Sequence, residues 1–246
     1  MMKKIFARIW AVWTAIAFFS TMVVFFIPFL LFVYFLPDPK RTVRFLSFAR
    51  VWMGVFLPLC GCPMRIKGRQ HFAKGENYIV CCNHNSFMDI PVSSPAIPGG
   101  NKTIAKSDFV KVPLFGLIYK AGSVIVDRKD ENSRKQSFGK MKKVLADGLH
   151  MCLYPEGTRN KTDQPMKPFH DGAFKLSLET GKAIIPGIIF NTRKIMPADE
   201  GLYVLPHPID IHFLAPIIPL DSDTVASLKE RVFNIMSNYY AANAKS

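Results

Sequence analysis

Tyr78-Ile79-Val80-Cys81-Cys82, followed at once by Asn83-His84-Asn85-Ser86-Phe87-Met88-Asp89-Ile90-Pro91, is the stretch on which the fold turns. Its first five residues form a short apolar run with the length of a buried strand. The next seven put a histidine and a carboxylate five residues apart. On a regular helix five residues rotate two side chains by about 140°, so His84 and Asp89 cannot share a helical face. They can meet across a turn that joins a strand to a helix. Ser86-x-x-Asp89 also has the spacing of a helix capping box, but a helix starting at Ser86 would carry Pro91 too deep inside it. A helix starting near Asp89 takes Pro91 into its first turn and leaves the carboxylate free to turn back on the imidazole. An imidazole oriented in this way can take a proton from an alcohol.

Working outward, short apolar runs recur at Tyr78 to Cys82, Ser123 to Val126, Met151 to Tyr154, Ile184 to Phe190 and Ile209 to Leu214. Helical stretches fall between them near Val112 to Lys120, Asn132 to Ala146, Gly172 to Thr180 and Thr224 to Tyr240. Strands alternating with helices predict an α/β sheet with helices on its faces. No repeat or low-complexity linker divides residues 68–246, so one catalytic domain over 61–246 is expected, preceded by an anchoring segment over 1–60.

The charge balance is extreme: 32 Lys and Arg against 18 Asp and Glu, a formal +14, in a chain that is 49% hydrophobic with 21 phenylalanines. A basic and greasy chain fits an anionic membrane surface. Nucleic acid is disfavoured, because no zinc-finger spacing or RNA-binding aromatic signature accompanies the charge. Five cysteines without paired spacing favour neither a disulfide framework nor a zinc site, and no metal is expected.

From Ile9 to Pro37 no side chain is charged, while Lys3, Lys4 and Arg8 precede the run and Lys40, Arg41 and Arg44 follow it. Basic flanks at both ends place both ends on the cytoplasmic side. A single span cannot satisfy that, whereas a two-helix hairpin can. The polar pair Ser20-Thr21 suggests the turn, giving arms of about 15 residues that reach only ~22 Å each. Such arms are too short for a hydrocarbon core of about 30 Å, which favours a re-entrant or monotopic anchor at the cytoplasmic face of the inner membrane over a true span. Residues 41–60 carry Arg44 and Arg50 on different azimuths and have two readings: an interfacial helix whose arginines meet headgroups, or a helix packed on the domain.

Three polar clusters close other apolar runs: Lys106 after Thr103-Ile104-Ala105, Asp127-Arg128 after Val124-Ile125-Val126, and Pro155-Glu156-Gly157-Thr158-Arg159 after Cys152-Leu153-Tyr154. Sheets of this kind gather such loops at one edge, so these clusters are expected to converge on His84. Together, Asn83 to Asp89, Gly122 to Arg128, Pro155 to Arg159 with Phe169-His170-Asp171-Gly172-Ala173-Phe174, and Ile185-Pro186 resemble the four ordered blocks of the glycerolipid acyltransferases, the bacterial 1-acylglycerol-3-phosphate acyltransferases in particular. The resemblance covers about residues 68–215. HxxxxD alone is a weak signal, but its combination with PEGTR some 70 residues later is specific.

The resemblance implies a glycerol-3-phosphate acyltransferase-like mixed sheet flanked by helices. It also implies transfer of an acyl group from an acyl-CoA or acyl carrier protein thioester to the sn-2 hydroxyl of lysophosphatidic acid, with no cofactor and no covalent enzyme intermediate. His84 would be the general base and Asp89 its orienting carboxylate. Arg159 would grip the acceptor phosphate, with Lys106 as a second cation. Glu156, Gly157 and Thr158 would shape or touch the acceptor site. Arg128 has two readings, lining the pocket or pairing with Asp127 or Glu156 to brace it. The sequence departs from many relatives at His170-Asp171, where lysines are usual, so neither residue is assigned a part. Rival readings are the same chemistry on a phosphate-free acceptor such as a lyso-ornithine lipid, or a catalytically silent protein on anionic membranes. A Cys82 nucleophile is disfavoured because strand alternation directs it to the core, and a hydrolase because no GxSxG elbow exists.

Overall fold

The computed structural model describes residues 1–127 and 130–244. Two helices come first. Helix α1 (Met2–Phe29) continues into a π turn at Leu30–Tyr34, and α2 (Lys40–Leu59) returns against it. The hairpin expected from the charge pattern is present, but it does not turn at Ser20-Thr21. The Thr21 hydroxyl is absorbed within the hairpin: it donates to the Ala17 carbonyl at 2.7 Å and accepts from the Trp52 indole at 3.0 Å. The reversal lies at residues 35–39, where Pro37 and Pro39 remove backbone donors and disfavour helix in the residues before them. The first arm therefore has 33 residues, about 50 Å of helix, and is not too short to span a hydrocarbon core.

Asp38 ties this reversal to the rest of the molecule. It accepts from the Thr42 hydroxyl at 2.6 Å, from Arg41 at 2.5 Å and from Lys102 of the body at 2.9 Å. Burial alone would raise its pKa, but these donors outweigh that and hold it at about 2. Along α1, Ala7, Ala11, Thr14 and Ala17 are buried at helical spacing, so small residues let the helix lie close on the body. The opposite face is apolar and bare: Ile9, Ile16, Val24, Ile27 and Phe32 are each more than half exposed. Both helices are long and apolar enough to cross a membrane, and such a face indicates membrane association.

The body is one seven-stranded sheet. Its strands are β1 (Met64–Lys67), β2 (Ile79–Cys82), β3 (Asn101–Lys106), β4 (Ser123–Val126), β5 (His150–Leu153), β6 (Ile184–Phe190) and β7 (Ile209–Phe213), in the order β1-β7-β6-β2-β5-β3-β4. All neighbours are parallel except β6 and β7, so the sheet is mixed. The five longer apolar runs predict β2, β4, β5, β6 and β7, and Thr103-Ile104-Ala105 falls in β3. β1 is absent from that reading because Met-Arg-Ile-Lys is short, basic and half-exposed, held at the edge only by β7.

Alternation along the strands sorts the core into two layers. Val80, Cys82, Cys152, Ile185 and Ile189 face the hairpin and α3 (Asp89–Ala96), packing with Trp52, Phe56 and Val92. Ile79, Cys81, Met151, Leu153, Ile184 and Ile188 face the other way, onto α5 (Glu131–Ala146), α6 (Gly172–Thr180) and α8 (Val225–Asn243). Between β3 and β4 runs α4 (Phe115–Ala121), and the short α7 (Thr192–Ile195) follows β6. Since β2, β5, β3 and β4 are adjacent and parallel, the loops after them emerge in that order along one edge. Those loops carry His84, Pro155 to Arg159 and Asp127, and Lys106 ends β3 at the same edge.

Candidate active site

Asn83 leaves β2 with its side chain pinned to the neighbouring strand: it donates to the Ile189 carbonyl at 2.9 Å and accepts from the Ile189 N–H at 2.7 Å. The loop that follows folds back on Asp89, the first residue of α3, as Pro91 requires. Asp89 Oδ2 accepts three bonds, from the Asn85 N–H at 2.6 Å, the Ser86 N–H at 2.7 Å and His84 Nδ1 at 2.8 Å. Two backbone donors fix the carboxylate before the imidazole reaches it. An ionised carboxylate only accepts, so Nδ1 carries the proton and Nε2 keeps a lone pair. The Ser86 hydroxyl is spent on the Met196 carbonyl at 2.7 Å, and no capping box forms.

The loop after β5 holds His84 from the other side. Glu156 Oε1 accepts the His84 backbone N–H at 2.7 Å, Oε2 accepts the Lys167 N–H at 2.9 Å, and the Asn160 N–H donates to the His84 carbonyl at 2.6 Å. Burial raises the Glu156 pKa, against the lowering effect of those two N–H groups and of His84. With both oxygens engaged and only 1% of the residue exposed, Glu156 braces the loop; the geometry does not offer it to an acceptor's hydroxyls. Gly157 sits at φ 71°, and a Cβ there would come within 2.7 Å of the His170 ring. The close approach that demands glycine is therefore to His170.

Tyr154 was not singled out by its sequence position, yet its ring lies 4.5 Å from the His84 ring and its hydroxyl is 2.7 Å from the Ser93 hydroxyl on α3. Burial raises its pKa well above the usual phenol value, so it is a neutral platform. Asp89 and Ser93, four residues apart on α3, thus fix the imidazole edge and the ring beneath it. Asn83, Asn160 and Lys167 were missed for the same reason as Tyr154: their roles are contacts made across distant parts of the chain.

Arg159 lies over the Phe87 ring with its guanidinium carbon 3.5 Å from the centroid, and no carboxylate among the described residues pairs with it. Thr158 is exposed and accepts from Lys167 Nζ. Lys106, at the end of β3, is half-exposed and ion-paired with Asp108. Arg128 lies outside the described residues. Cys82 is fully buried, and its pKa is driven well up by the hydrogen bond with Cys152 and by burial, which leaves no thiolate to attack.

Phe87 and Met88 also line an apolar cavity of about 490 Å³ between the hairpin and the body, together with Phe18, Phe45, Trp52 and Ile118. The loop after β2 therefore brings a proton acceptor together with an apolar cavity and, across from the loop after β5, a guanidinium with no carboxylate partner among the described residues.

Comparison with known proteins identifies the family of the chain. Residues 63–190 match the family model described as acyltransferase. A 1-acyl-sn-glycerol-3-phosphate acyltransferase of Cocos nucifera is 30% identical over 206 residues, covering 82% of this chain and 66% of that protein. The protein of that name from Borreliella burgdorferi is 26% identical, covering 65% of this chain and 66% of its own length. The chain thus spans about two thirds of the length of these relatives. The crystal structure of the 1-acyl-sn-glycerophosphate (LPA) acyltransferase PlsC of Thermotoga maritima superposes with a TM-score of 0.76 at 19% identity, over 100% of this chain and 98% of that one. The fold is shared with that structure, hairpin included, and by its sequence the chain belongs to the acyltransferase family.

Proposed function

We propose that the protein transfers a fatty acyl group from an acyl thioester to the sn-2 hydroxyl of 1-acyl-sn-glycerol 3-phosphate, forming phosphatidic acid. The observation that carries the reading is His84 Nδ1 held 2.8 Å from Asp89, with Nε2 left for an alcohol. Nε2 takes the hydroxyl proton as the oxygen attacks the thioester carbonyl, and Asp89 stabilises the imidazolium. The tetrahedral adduct collapses by breaking the carbon–sulfur bond, and the imidazolium returns the proton to the departing sulfur as a free thiol. No cofactor enters these steps.

Arg159 takes the acceptor phosphate, for which a planar guanidinium is suited, and Lys106 further along the same edge adds a second cation. The apolar cavity beside Phe87 accepts an acyl chain. A coenzyme A thioester and an acyl carrier protein thioester are both anionic donors suited to a +14 surface.

The hairpin seats the enzyme on one leaflet, at the cytoplasmic face. Its turn is tied by Asp38 to Lys102, so crossing the bilayer would drag this ion pair and Arg41 into lipid, whereas lying in the interface buries the bare apolar face of α1 and the exposed apolar residues of α2.

Purified protein given lysophosphatidic acid and an acyl thioester should release free thiol and yield phosphatidic acid by mass spectrometry. His84→Ala should lose at least about a hundredfold in kcat. Full activity in that variant would sink the assignment.

A further inference from the structure

Helix α3 has the orienting carboxylate at one end and two arginines at the other. Arg50, on α2 of the hairpin, donates from Nε to the Pro95 carbonyl at 3.1 Å and from Nη2 to the Ile97 and Gly99 carbonyls at 2.7 and 2.5 Å. Arg69, from the body, donates from Nε to the Ala96 carbonyl at 3.0 Å. Pro95 and Ala96 lie in the last turn of α3 and Ile97 caps it, so three of these are carbonyls a helix C-terminus leaves without intrahelical partners, at the end of the dipole where a cation is favoured; Gly99 lies just beyond. With eight residues, α3 is about 12 Å long, and its two ends move together. Three acceptors in a fan suit a guanidinium fork, which a single ammonium cannot reproduce.

We propose that Arg50 is a positioning residue for the reaction: by holding the carbonyl end of α3 it fixes where Asp89, at the opposite end, presents its carboxylate to His84. The proposal rests on the acyl-transfer reading. Arg50 does not touch the site, and it is the guanidinium through which the lipid-facing hairpin grips the helix that orients the base. Val51, about 100° round α2 from Arg50, is 61% exposed, so the helix that sets the position of α3 also carries part of the hairpin's bare apolar surface. Seating the hairpin and aligning the base are thereby one event. Arg44, on the same helix but exposed and not bonded to α3, is the natural control.

Two readouts test this with vesicle-bound, full-length protein. Misplacing a reacting group by about 1 Å can cost as much as ~100-fold. Arg50→Ala should therefore lower kcat by roughly tenfold or more while the acceptor KM stays within about twofold. Arg50→Lys should recover part of that loss, and Arg44→Ala should match the parent. Independently of turnover, the His84 Nδ1 proton shared with Asp89 gives a downfield NMR signal in protein labelled at histidine nitrogen. Asp89→Asn sets the displaced limit, Arg50→Ala should move the signal toward it, and Arg44→Ala should leave it in place. An Arg50→Ala protein that melts at lower temperature yet keeps kcat and the signal would overturn the proposal, as would loss of kcat with the signal unmoved. Should Arg50→Ala fail to fold, Arg50→Lys carries both readouts with the same expected directions. A parent protein inert toward lysophosphatidic acid would fell the acyl-transfer reading alone, since the NMR signal still reports whether Arg50 governs the pair.

Discussion

Two histidines occupy opposite edges of the same pair of strands. At one edge His84 follows β2 and its ring lies 4.5 Å from Tyr154, which follows β5; at the other His150 opens β5 and stacks 5.8 Å from Tyr78, which precedes β2. The arrangement is nearly reciprocal, and each ring is hydrogen-bonded at Nδ1. The difference is the sense of that bond. His84 faces the Asp89 carboxylate, so Nδ1 donates. His150 receives the Tyr78 backbone N–H at 3.1 Å, so Nδ1 accepts and the ring must be neutral. Burial and the nearby Arg50 then push its pKa down to about 4. What separates a base from a core side chain here is the polarity of one hydrogen bond and the sign of the nearest charge, since residue type and aromatic partner are the same.

The largest expected effect comes from reversing that polarity at His84. Asp89→Asn offers an amide in place of a carboxylate, removing the stabilisation of the imidazolium and allowing the wrong tautomer. Turnover should fall by about 10²- to 10⁴-fold, measured by thiol release. His150→Gln should lower the melting temperature but spare kcat in the molecules that remain folded. Equal losses of kcat from both substitutions would abolish the distinction between the edges.

Acid should test His150 from the other side. Its folded pKa is depressed to about 4 against an ordinary 6.5. The stability it contributes is therefore complete above pH 6.5 and is lost as pH falls toward 4, because the unfolded chain binds the proton first. The full depression corresponds to about 3 kcal/mol. Urea unfolding across that window should show the decline, and His150→Phe should flatten it. A parent curve flat between pH 6.5 and 4 would contradict a neutral buried ring.

How much of this was legible in the chain follows from how local each feature is. The His84–Asp89 pair was readable because both partners lie within one turn and Pro91 dictates where the helix begins. Ser123–Val126 and Ile184–Phe190 were readable because β-branched runs of that length have few other uses. The reversal of the hairpin was misplaced because Ser20-Thr21 is polar in an apolar run, yet a threonine can satisfy its hydroxyl on its own helix, as Thr21 does on Ala17. Tyr154, Asn83 and Arg50 carried no local signal at all. Their partners lie 61, 106 and 45 to 49 residues away in sequence and become neighbours only through the order of the strands and the return of α2.

The arginines near the two edges repeat the contrast between the histidines. Arg50 spends its donors on carbonyls, whereas Arg159 rests on Phe87 and is paired with no carboxylate among the described residues. Losing a charge-assisted hydrogen bond costs about 1.5 to 3 kcal/mol. Arg159→Ala should accordingly raise the KM for lysophosphatidic acid by roughly ten- to a hundredfold with a smaller change in kcat. A phosphate-free lysolipid should be indifferent to the substitution. An unchanged KM for the phosphate acceptor would remove Arg159 from the acceptor site.

The smallest expected effect lies in the platform beneath the base. Tyr154→Phe keeps the ring face against His84 and deletes only the 2.7 Å bond between its hydroxyl and that of Ser93. A neutral hydrogen bond contributes about 0.5 to 1.5 kcal/mol, but Ser93 is wholly buried and would be left with two weak contacts, to the Ile90 carbonyl at 3.5 Å and the Cys152 sulfur at 3.9 Å. Stability should therefore drop by about 1 kcal/mol while kcat stays within roughly threefold. Tyr154→Ala removes the ring itself, lets the imidazole tilt out of line with Asp89, and should cut kcat about tenfold further. At the other edge the matching change, Tyr78→Ala, should show up in melting temperature with kcat preserved. If Tyr154→Ala behaves like Tyr78→Ala, the ring under His84 is packing and nothing more; if only the first lowers kcat, the two tyrosines differ as the two histidines do.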